Sequence, residues 1–266
     1  MQKNSSKLLM IFFFVCTSHF VLGQHSNFYE AKIKVSKNDT LRYRIMMPVN
    51  FDSSKKYPLV LFMHGAGERG NDNKRQLVHG SSLFASEMVR DWYSSIVIFP
   101  QCPKNSYWSN AVVNRDKRPI GLDFPLDKAP TKPLQLVIEL LEEYLQKPFV
   151  NTYQIYVGGL SMGGMGTFEI VYRKPTIFAA AFAICGAGNP LATEKFAKKV
   201  PFWIFHGAKD DVVSPEESIK MVSGIIKNGG NPNFTLFANA NHNSWDAAFA
   251  EPKLLPWLFS NIKKTN

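Results

Sequence analysis

The sequence predicts an α/β protein in which helices cover both faces of a mostly parallel β-sheet. Three observations lead to this prediction: short apolar runs recur along the chain, amphipathic helical patterns fill the gaps between them, and no Gly/Ser-rich or Pro-rich linker divides the sequence. Continuously apolar strands are typical of sheets whose two faces are both buried beneath connecting helices. Because no internal repeat is present either, residues 24–266 are interpreted as a single domain.

The composition is that of a folded globular protein. Apolar residues make up 45% of the 266 residues and charged residues 20%, which excludes an intrinsically disordered chain, a collagen-like repeat and a coiled coil. The formal charge of +10 is of a kind also found in nucleic-acid-binding proteins. The basic residues are scattered, however, and pairs such as Lys198-Lys199 are short, so no nucleic-acid partner is expected.

The first 23 residues have the features of a secretory signal peptide. Lys3 and Lys7 precede the apolar run Leu8–Cys16, and Val21-Leu22-Gly23 ends in a small residue. The run is too short to span a bilayer, so cleavage after Gly23 is expected, with no stable membrane insertion afterwards. The alternative is an uncleaved anchor helix. Cleavage predicts a secreted or periplasmic protein that begins at Gln24.

Eight segments are predicted to be strands. The first two alternate apolar and polar residues around Lys37-Asn38-Asp39, which is a hairpin signal. The other six are mostly apolar, as buried strands are. In chain order the eight are Glu30–Ser36, Leu41–Met47, Pro58–Met63, Ser95–Pro100, Gln154–Gly158, Ala179–Cys185, Pro201–Phe205 and Asn233–Ala238.

Four segments are predicted to be helices, from apolar residues that recur every three or four positions and from capping signals such as Ser214 before Pro215. Two prolines in the last of them predict a kink or a break. The stretch 102–130 is polar and Pro-rich without periodicity, and long loops of this kind are usually functional. The four helical segments are 134–145, 162–173, 215–228 and 246–262.

One short motif carries the strongest chemical signal. Gly159-Leu160-Ser161-Met162-Gly163 has the pattern G-x-S-x-G and stands between a predicted strand and a predicted helix, which is the context of a nucleophile elbow. Small flanking residues allow a sharp turn with strained backbone that exposes the serine oxygen. Ser161 is therefore the predicted nucleophile. The N–H of Met162, at the start of the helix, is a predicted oxyanion donor.

A serine nucleophile needs a general base, and the base needs an acid that holds its tautomer. Only His206 and His242 follow Ser161 in the chain. His242 lies in a polar loop past the last strand and is the predicted base, whereas His206 closes a strand and is interpreted as a turn-packing residue. Of two adjacent acids, Asp210 is preferred as the partner of the base, and Asp211 is interpreted as a capping or solvated loop residue.

The loop after the third predicted strand is rich in glycine. It runs from His64 to Gly70 as HGAGERG and is not interpreted as a phosphate loop, because no Gly-Lys-Ser/Thr follows. It matches instead an HG-type loop that donates a second backbone N–H to an oxyanion. The N–H of Ala66 is the predicted donor, with Gly67 as the alternative.

In this order, the elements HGAGERG, GLSMGG and HGAKDDVV resemble the esterase branch of the α/β-hydrolase superfamily, near peptidase/esterase, phospholipase/carboxylesterase and feruloyl-esterase-like proteins. The resemblance covers nearly all of residues 24–266. It implies an α/β-hydrolase fold of about eight strands, with nucleophile Ser161, acid Asp210 and base His242. No metal and no cofactor are expected. One departure is Ser214, which stands where relatives often have proline directly after the valine.

The resemblance also places Cys102 and Cys185. In this superfamily the strands that end near these two residues are separated by the two strands that carry His64 and Ser161. Three strand spacings amount to roughly 14 Å, whereas the α-carbons of a disulfide lie within about 7 Å of each other. Two free, buried thiols are therefore expected.

The expected reaction is hydrolysis of a carboxylic ester by a secreted serine carboxylesterase. Trp108, next to Tyr107 in the long loop, and Trp245, after the base, are predicted to bind substrate by stacking on an aromatic acyl group or a sugar. This favours feruloyl or acetyl esters on polysaccharide, with small-molecule esters as the general case. Glu68 and Arg69 form an ion pair at the mouth of the site in one interpretation, and Arg69 binds a substrate carboxylate in the other.

Two alternatives stay open at this stage. A prolyl-oligopeptidase-like serine peptidase has a similar catalytic domain, although the segment before Pro58 is too short for the propeller that such enzymes carry. A non-catalytic binding module is an alternative from a different class, and the ordered presence of all the expected catalytic elements disfavours it.

Overall fold

The computed structural model describes residues 26–263. The predicted signal peptide lies outside the described residues, so its cleavage stays a prediction, as does the division into a signal and a single domain. None of the helices within residues 26–263 combines the length and the apolar character that crossing a membrane requires.

Eight strands form one sheet in the order β1-β2-β4-β3-β7-β8-β9-β10. Strands β1 and β2 pair antiparallel with each other, β2 pairs antiparallel with β4, and every other neighbouring pair is parallel. This confirms the predicted mostly parallel sheet of eight strands. The strands are β1 Glu30–Ser36, β2 Asp39–Met46, β3 Tyr57–Met63, β4 Ile96–Gln101, β7 Val150–Leu160, β8 Ala180–Ile184, β9 Phe202–Gly207 and β10 Asn233–Phe237.

Helices cover both faces because successive side chains of a strand point to opposite sides of the sheet. In β3, Leu59, Leu61 and Met63 pack into one core with α3, α4 and α5, whereas Val60 and Phe62 pack into a second core with α1, α2 and α7. The helices are α1 Ser81–Ala85, α2 Glu87–Trp92, α3 Lys132–Leu145, α4 Met162–Arg173, α5 Pro215–Lys227, α6 Trp245–Phe249 and α7 Leu254–Ser260.

Two parts of the chain differ from the sequence prediction. The short helices α1 and α2 connect β3 to β4 and were not predicted, because each spans less than two turns and neither repeats an apolar stripe. The long loop contains an antiparallel hairpin of β5 Val112–Asn114 and β6 Gly121–Asp123. The expected break in the last helix is confirmed, since α6 and α7 are separate.

The two cysteines of the described chain are buried and unpaired, as expected. Cys102 directly follows β4 and Cys185 directly follows β8. Strands β3 and β7 lie between these two strands in the sheet, so the separation expected from the superfamily resemblance is confirmed.

Candidate active site

The predicted catalytic side chains meet at one edge of the sheet. Ser161 follows β7, Asp210 follows β9 and His242 follows β10. These strands are parallel, so their carboxyl ends lie at the same edge, which is where α/β proteins bind ligands.

Ser161 occupies the sharp turn that its flanking glycines allow. Its backbone has φ 52° and ψ −118°, a left-handed conformation that is strained for a residue with a side chain. A Cβ on Gly163 would lie 1.9 Å from the carbonyl oxygen of Met63, and one on Gly159 would lie 2.4 Å from the carbonyl oxygen of Gly163. Both positions therefore exclude every side chain, as the predicted elbow requires.

A chain of hydrogen bonds joins the three side chains. The Ser161 Oγ lies 2.9 Å from His242 Nε2, and His242 Nδ1 lies 2.8 Å from Asp210 Oδ2. Because a carboxylate can only accept, Nδ1 carries the proton and Nε2 is left to accept from the serine hydroxyl.

Asp210 is held as a carboxylate. Its Oδ1 accepts the backbone N–H groups of Val212 and Val213, each at 2.9 Å. Burial opposes ionisation, but hydrogen bonds from His206 and His242 and the bond from Val213 outweigh it, and the pKa of Asp210 falls well below its usual value. The exposed neighbour Asp211 donates its backbone N–H to Asn241 and does not contact the base. The geometry thus favours Asp210 over Asp211.

His206 contributes to the site in a way that sequence reasoning missed. It is fully buried, and its Nε2 lies 3.0 Å from the carbonyl oxygen of Val213 and 3.2 Å from Asp210 Oδ2. Both neighbours accept, so Nε2 carries a proton and donates to the same carboxylate oxygen that His242 uses. The other ring nitrogen lies 2.7 Å from Ser218 Oγ. The four-residue spacing to Asp210 was the available signal.

The two predicted oxyanion donors lie beside Ser161. Met162 is the first residue of α4 and Ala66 the first residue of a 3₁₀ helix, Ala66–Glu68. The first N–H groups of a helix have no acceptor within the helix. A Cβ on Gly65 would lie 3.7 Å from the Cβ of Ser161, which places the glycine-rich loop next to the nucleophile.

The same loop has the spacing G-x-G-x-x-G from Gly65 to Gly70, so sequence alone does not exclude a dinucleotide site. In the structure β3 leads into a 3₁₀ helix of three residues. A dinucleotide site needs a longer helix whose N-terminus receives the pyrophosphate, and that element does not follow β3.

His64 connects this loop to the residues after β4. The backbone N–H of Cys102 donates to His64 Nε2 at 3.0 Å, and His64 Nδ1 lies 2.6 Å from the carbonyl oxygen of Gly65. This fixes the proton on Nδ1. Complete burial lowers the pKa of His64 to about 4, so the ring is neutral near pH 7.

The cleft above Ser161 has a volume of about 290 Å³ and is mostly apolar. One wall comes from the hairpin β5–β6 and another from Trp245, whose ring centroid lies 5.6 Å from that of His242 and 5.0 Å from that of His79. The side chains that line the cleft beyond the nucleophile and the base include Glu68, His79, Tyr107, Val113, Arg115, Ile120, Leu122, Met165, Val212 and Trp245.

Two residues predicted to bind substrate, Trp108 and Arg69, do not line the cleft. Trp108 is fully buried, donates its indole N–H to the carbonyl oxygen of His64 at 3.0 Å and packs against Gly166, so it anchors the loop and does not line the cleft. Arg69 donates to two backbone carbonyl oxygens and stacks on Tyr107 at 4.7 Å. Glu68 faces His79 rather than Arg69, at 3.8 Å, so the expected Glu68–Arg69 ion pair is not formed.

Cys185, Asp210 and His242 converge so that their potential ligand atoms lie within 4.8 Å of one another, the one such group among residues 26–263. Hydrogen bonds already use the oxygen atoms of Asp210 and Nδ1 of His242. Burial raises the pKa of the Cys185 thiol well above its usual value, so the sulfur is a protonated and poor ligand. This donor set does not fit a resident metal.

Comparisons with known proteins agree with this geometry. Residues 125–253, which include Ser161, Asp210 and His242, match the sequence profile of the family described as Phospholipase/Carboxylesterase. A bifunctional acetylxylan esterase/xylanase of Neocallimastix patriciarum is 27% identical over 172 residues, which are 64% of this chain and 21% of that protein.

Solved structures share the fold over most of the chain. A thermostable esterase has a TM-score of 0.80 and 31% identity, with 89% of this chain and 64% of the other covered. An acylaminoacyl peptidase of Pyrococcus horikoshii has a TM-score of 0.63 and 15% identity, with 90% and 42% covered. The chain thus spans about a fifth of the acetylxylan esterase/xylanase and under two thirds of the esterase. These relatives are hydrolases of the esterase and peptidase type.

Proposed function

Because the chain belongs to the esterase- and peptidase-like part of the α/β-hydrolase superfamily, we propose that it is a serine carboxylesterase. The observation that carries this proposal is the unbroken hydrogen-bonded chain from Ser161 through His242 to Asp210 at the carboxyl edge of the sheet. The matched esterases supply a precedent for ester substrates.

In the acylation step, His242 Nε2 takes the proton of the Ser161 hydroxyl as the serine oxygen forms a bond to the ester carbonyl carbon. The N–H groups of Ala66 and Met162 hold the resulting oxyanion. The carbon–oxygen bond to the alcohol then breaks, and His242 returns the proton to the leaving alcohol. Asp210 stays ionised throughout and stabilises the imidazolium.

Deacylation repeats these steps with water. His242 removes a proton from water as the water oxygen attacks the acyl carbon, and the bond to Ser161 breaks with return of the proton to the serine oxygen. The products are a carboxylic acid and the regenerated serine. The apolar lining of the cleft favours an acyl chain or an aromatic ring over a highly polar group.

Esters on polysaccharide are the proposed natural substrates, with acetyl and feruloyl groups as the acyl classes. The matched acetylxylan esterase/xylanase supports a carbohydrate ester, and Trp245 and Tyr107 provide aromatic surfaces in the cleft. The predicted signal peptide is consistent with action outside the cytosol, where polysaccharide is met.

The test is Ser161→Ala, assayed with p-nitrophenyl acetate. Loss of the nucleophile should lower kcat by on the order of 10⁵-fold while the thermal unfolding midpoint stays unchanged. Ser260→Ala is the matched control, because Ser260 is exposed at the end of α7 and should keep full activity. Turnover retained in the Ser161 variant would show that another group is the nucleophile.

A serine peptidase is the second candidate, favoured by the fold shared with the acylaminoacyl peptidase. A panel of p-nitrophenyl esters, methyl ferulate and aminoacyl p-nitroanilides separates the two. The esterase proposal expects kcat/KM for the esters to exceed that for the anilides. A higher kcat/KM for the anilides would overturn the esterase proposal in favour of the peptidase.

A further inference from the structure

The lining of the cleft includes one carboxyl side chain, Glu68, and one guanidinium side chain, Arg115. They differ in their surroundings. The Glu68 side chain is only 13% exposed and faces His79 at 3.8 Å. Arg115 is exposed, and within residues 26–263 it has no carboxylate within 4.0 Å.

Arg115 is nevertheless held in place. Its Nη2 donates to the Tyr107 hydroxyl at 2.8 Å, which is the hydrogen bond that its guanidinium makes in the described chain. The Tyr107 ring is in turn covered by the guanidinium of Arg69 at 4.7 Å, and Arg69 is fixed by the carbonyl oxygens of Ala66 and Ser106. The remaining N–H groups of Arg115 are therefore available to a ligand.

The side chains around Arg115 do not pair with its charge. Val113, Ile120 and Leu122 of the same hairpin give the cleft an apolar wall. Asp116, the next residue, is exposed, makes no ion pair with Arg115 and is not part of the cleft lining. Lys117 and Arg118 are exposed on the hairpin outside the cleft, so the local charge is positive.

We propose that Arg115 selects substrates that carry an ionised carboxylate close to the ester that is cleaved. Guanidinium groups pair with carboxylates through two parallel hydrogen bonds, and one that is already ordered by Tyr107 loses less side-chain entropy on binding. This inference rests on the proposed esterase function and narrows its substrate class. It also assigns to Arg115, whose remaining N–H donors are free, the carboxylate-binding role that the sequence suggests for Arg69.

Two matched pairs of esters test the proposal and distinguish the two places where the carboxylate can lie. Mono-p-nitrophenyl glutarate against p-nitrophenyl valerate places the charge on the acyl side. 4-Carboxyphenyl acetate against 4-methylphenyl acetate places it on the alcohol side. For at least one pair, Arg115→Gln should raise KM for the anionic ester about tenfold, as loss of a charge-assisted hydrogen bond does, and leave the neutral ester unchanged.

Two further variants control for charge and for folding. Arg115→Lys should restore part of the preference, because it keeps the positive charge without the planar pair of donors. Lys117→Gln, on the same hairpin outside the cleft, should change neither ester. The preference should also weaken as ionic strength rises, since the guanidinium is exposed to screening.

Failure of this inference and failure of the proposed function have different signatures. The role of Arg115 alone is overturned if the wild-type protein hydrolyses the neutral esters and Arg115→Gln changes KM equally for both members of every pair. Absence of hydrolysis of all four esters overturns the esterase function. In that case calorimetric titration with benzoate, and with benzamide as the neutral control, tests whether Arg115 binds a carboxylate. Weaker benzoate binding in Arg115→Gln supports this role, and unchanged or undetectable benzoate binding overturns it.

Discussion

The floor and the wall of the cleft are built by different means. The floor, formed by the strand-end residues 64–66, 159–163, 206–213 and 242, is fixed by backbone geometry and by buried hydrogen bonds that start at the sheet. The wall, residues 102–123, is a long loop whose position is fixed by a few side chains. Trp108 inserts into the core and donates to the carbonyl oxygen of His64, and Tyr107 orients Arg115. The proposed chemistry therefore depends on the floor, and the proposed choice of substrate depends on the wall.

The sharpest test of the floor is Gly163→Ala. The added Cβ would lie 1.9 Å from the carbonyl oxygen of Met63, and backbone on both sides of this contact belongs to packed elements. We expect the free energy of unfolding to fall by more than about 4 kcal/mol, measured by urea denaturation. Gly67→Ala, in the loop after β3, is the matched control, because a Cβ there meets no atom within 4 Å, and a large loss in this variant would contradict the steric argument.

Trp108→Ala tests whether the wall depends on one anchor. Truncation of a fully buried tryptophan removes its packing and its hydrogen bond, and we expect a loss of about 4 kcal/mol in the free energy of unfolding. Trp92→Ala should change it by less than about 0.5 kcal/mol, since Trp92 is 78% exposed. Equal stability of the two variants would mean that the loop holds its place without Trp108.

The same contrast explains what the sequence could predict. The elbow at Ser161 was predictable because sharp backbone geometry admits few residue types, and those residues are contiguous in the chain. The pairing of Asp210 with His242 followed from chain order. The wall was not predictable in detail, because a tryptophan that anchors a loop and one that stacks on a ligand look alike in a sequence. Only the packing of Trp108 against Gly166 and His64 decides between them.

His64 joins the floor to the wall through the hydrogen bond that its Nε2 accepts from the N–H of Cys102, and its contribution to stability should be sensitive to acid. Its pKa is lowered to about 4 by burial, whereas an unfolded histidine has a pKa near 6.5. Between these two values the unfolded state binds more protons than the folded state. The contribution of neutral His64 to the free energy of unfolding is therefore fully present above pH 6.5 and is lost as the pH falls to 4, a loss of about 3 kcal/mol in all. Asp210, whose pKa is also lowered, loses its contribution only below about pH 4.

Denaturation at a series of pH values checks this, with His64→Asn as the comparison. That variant begins from a lower stability but lacks the titrating ring, so its stability should decline less between pH 6.5 and pH 4. Parallel curves for the two proteins would assign the acid loss to other groups.

His206 is expected to position the acid of the floor rather than to contact substrate. In His206→Asn the amide reaches the place of Nδ1 near Ser218 but not Asp210, and we expect kcat to fall about tenfold with KM unchanged, as loss of one hydrogen bond to a charged group suggests. His206→Gln reaches the place of Nε2 and should recover most of kcat. Identical losses in the two variants would indicate a packing role only.

The smallest expected effect belongs to the wall. Tyr107→Phe keeps the ring beneath Arg69 and removes only the hydroxyl that holds Arg115. The guanidinium stays but must be ordered when substrate binds, at a cost of about 0.5–1 kcal/mol, so KM for the anionic ester should rise two- to fivefold. The neutral ester and the unfolding midpoint should not change. A rise as large as that of Arg115→Gln would mean that Tyr107 contacts substrate directly, and no rise would mean that the wall does not need its charge to be ordered in advance.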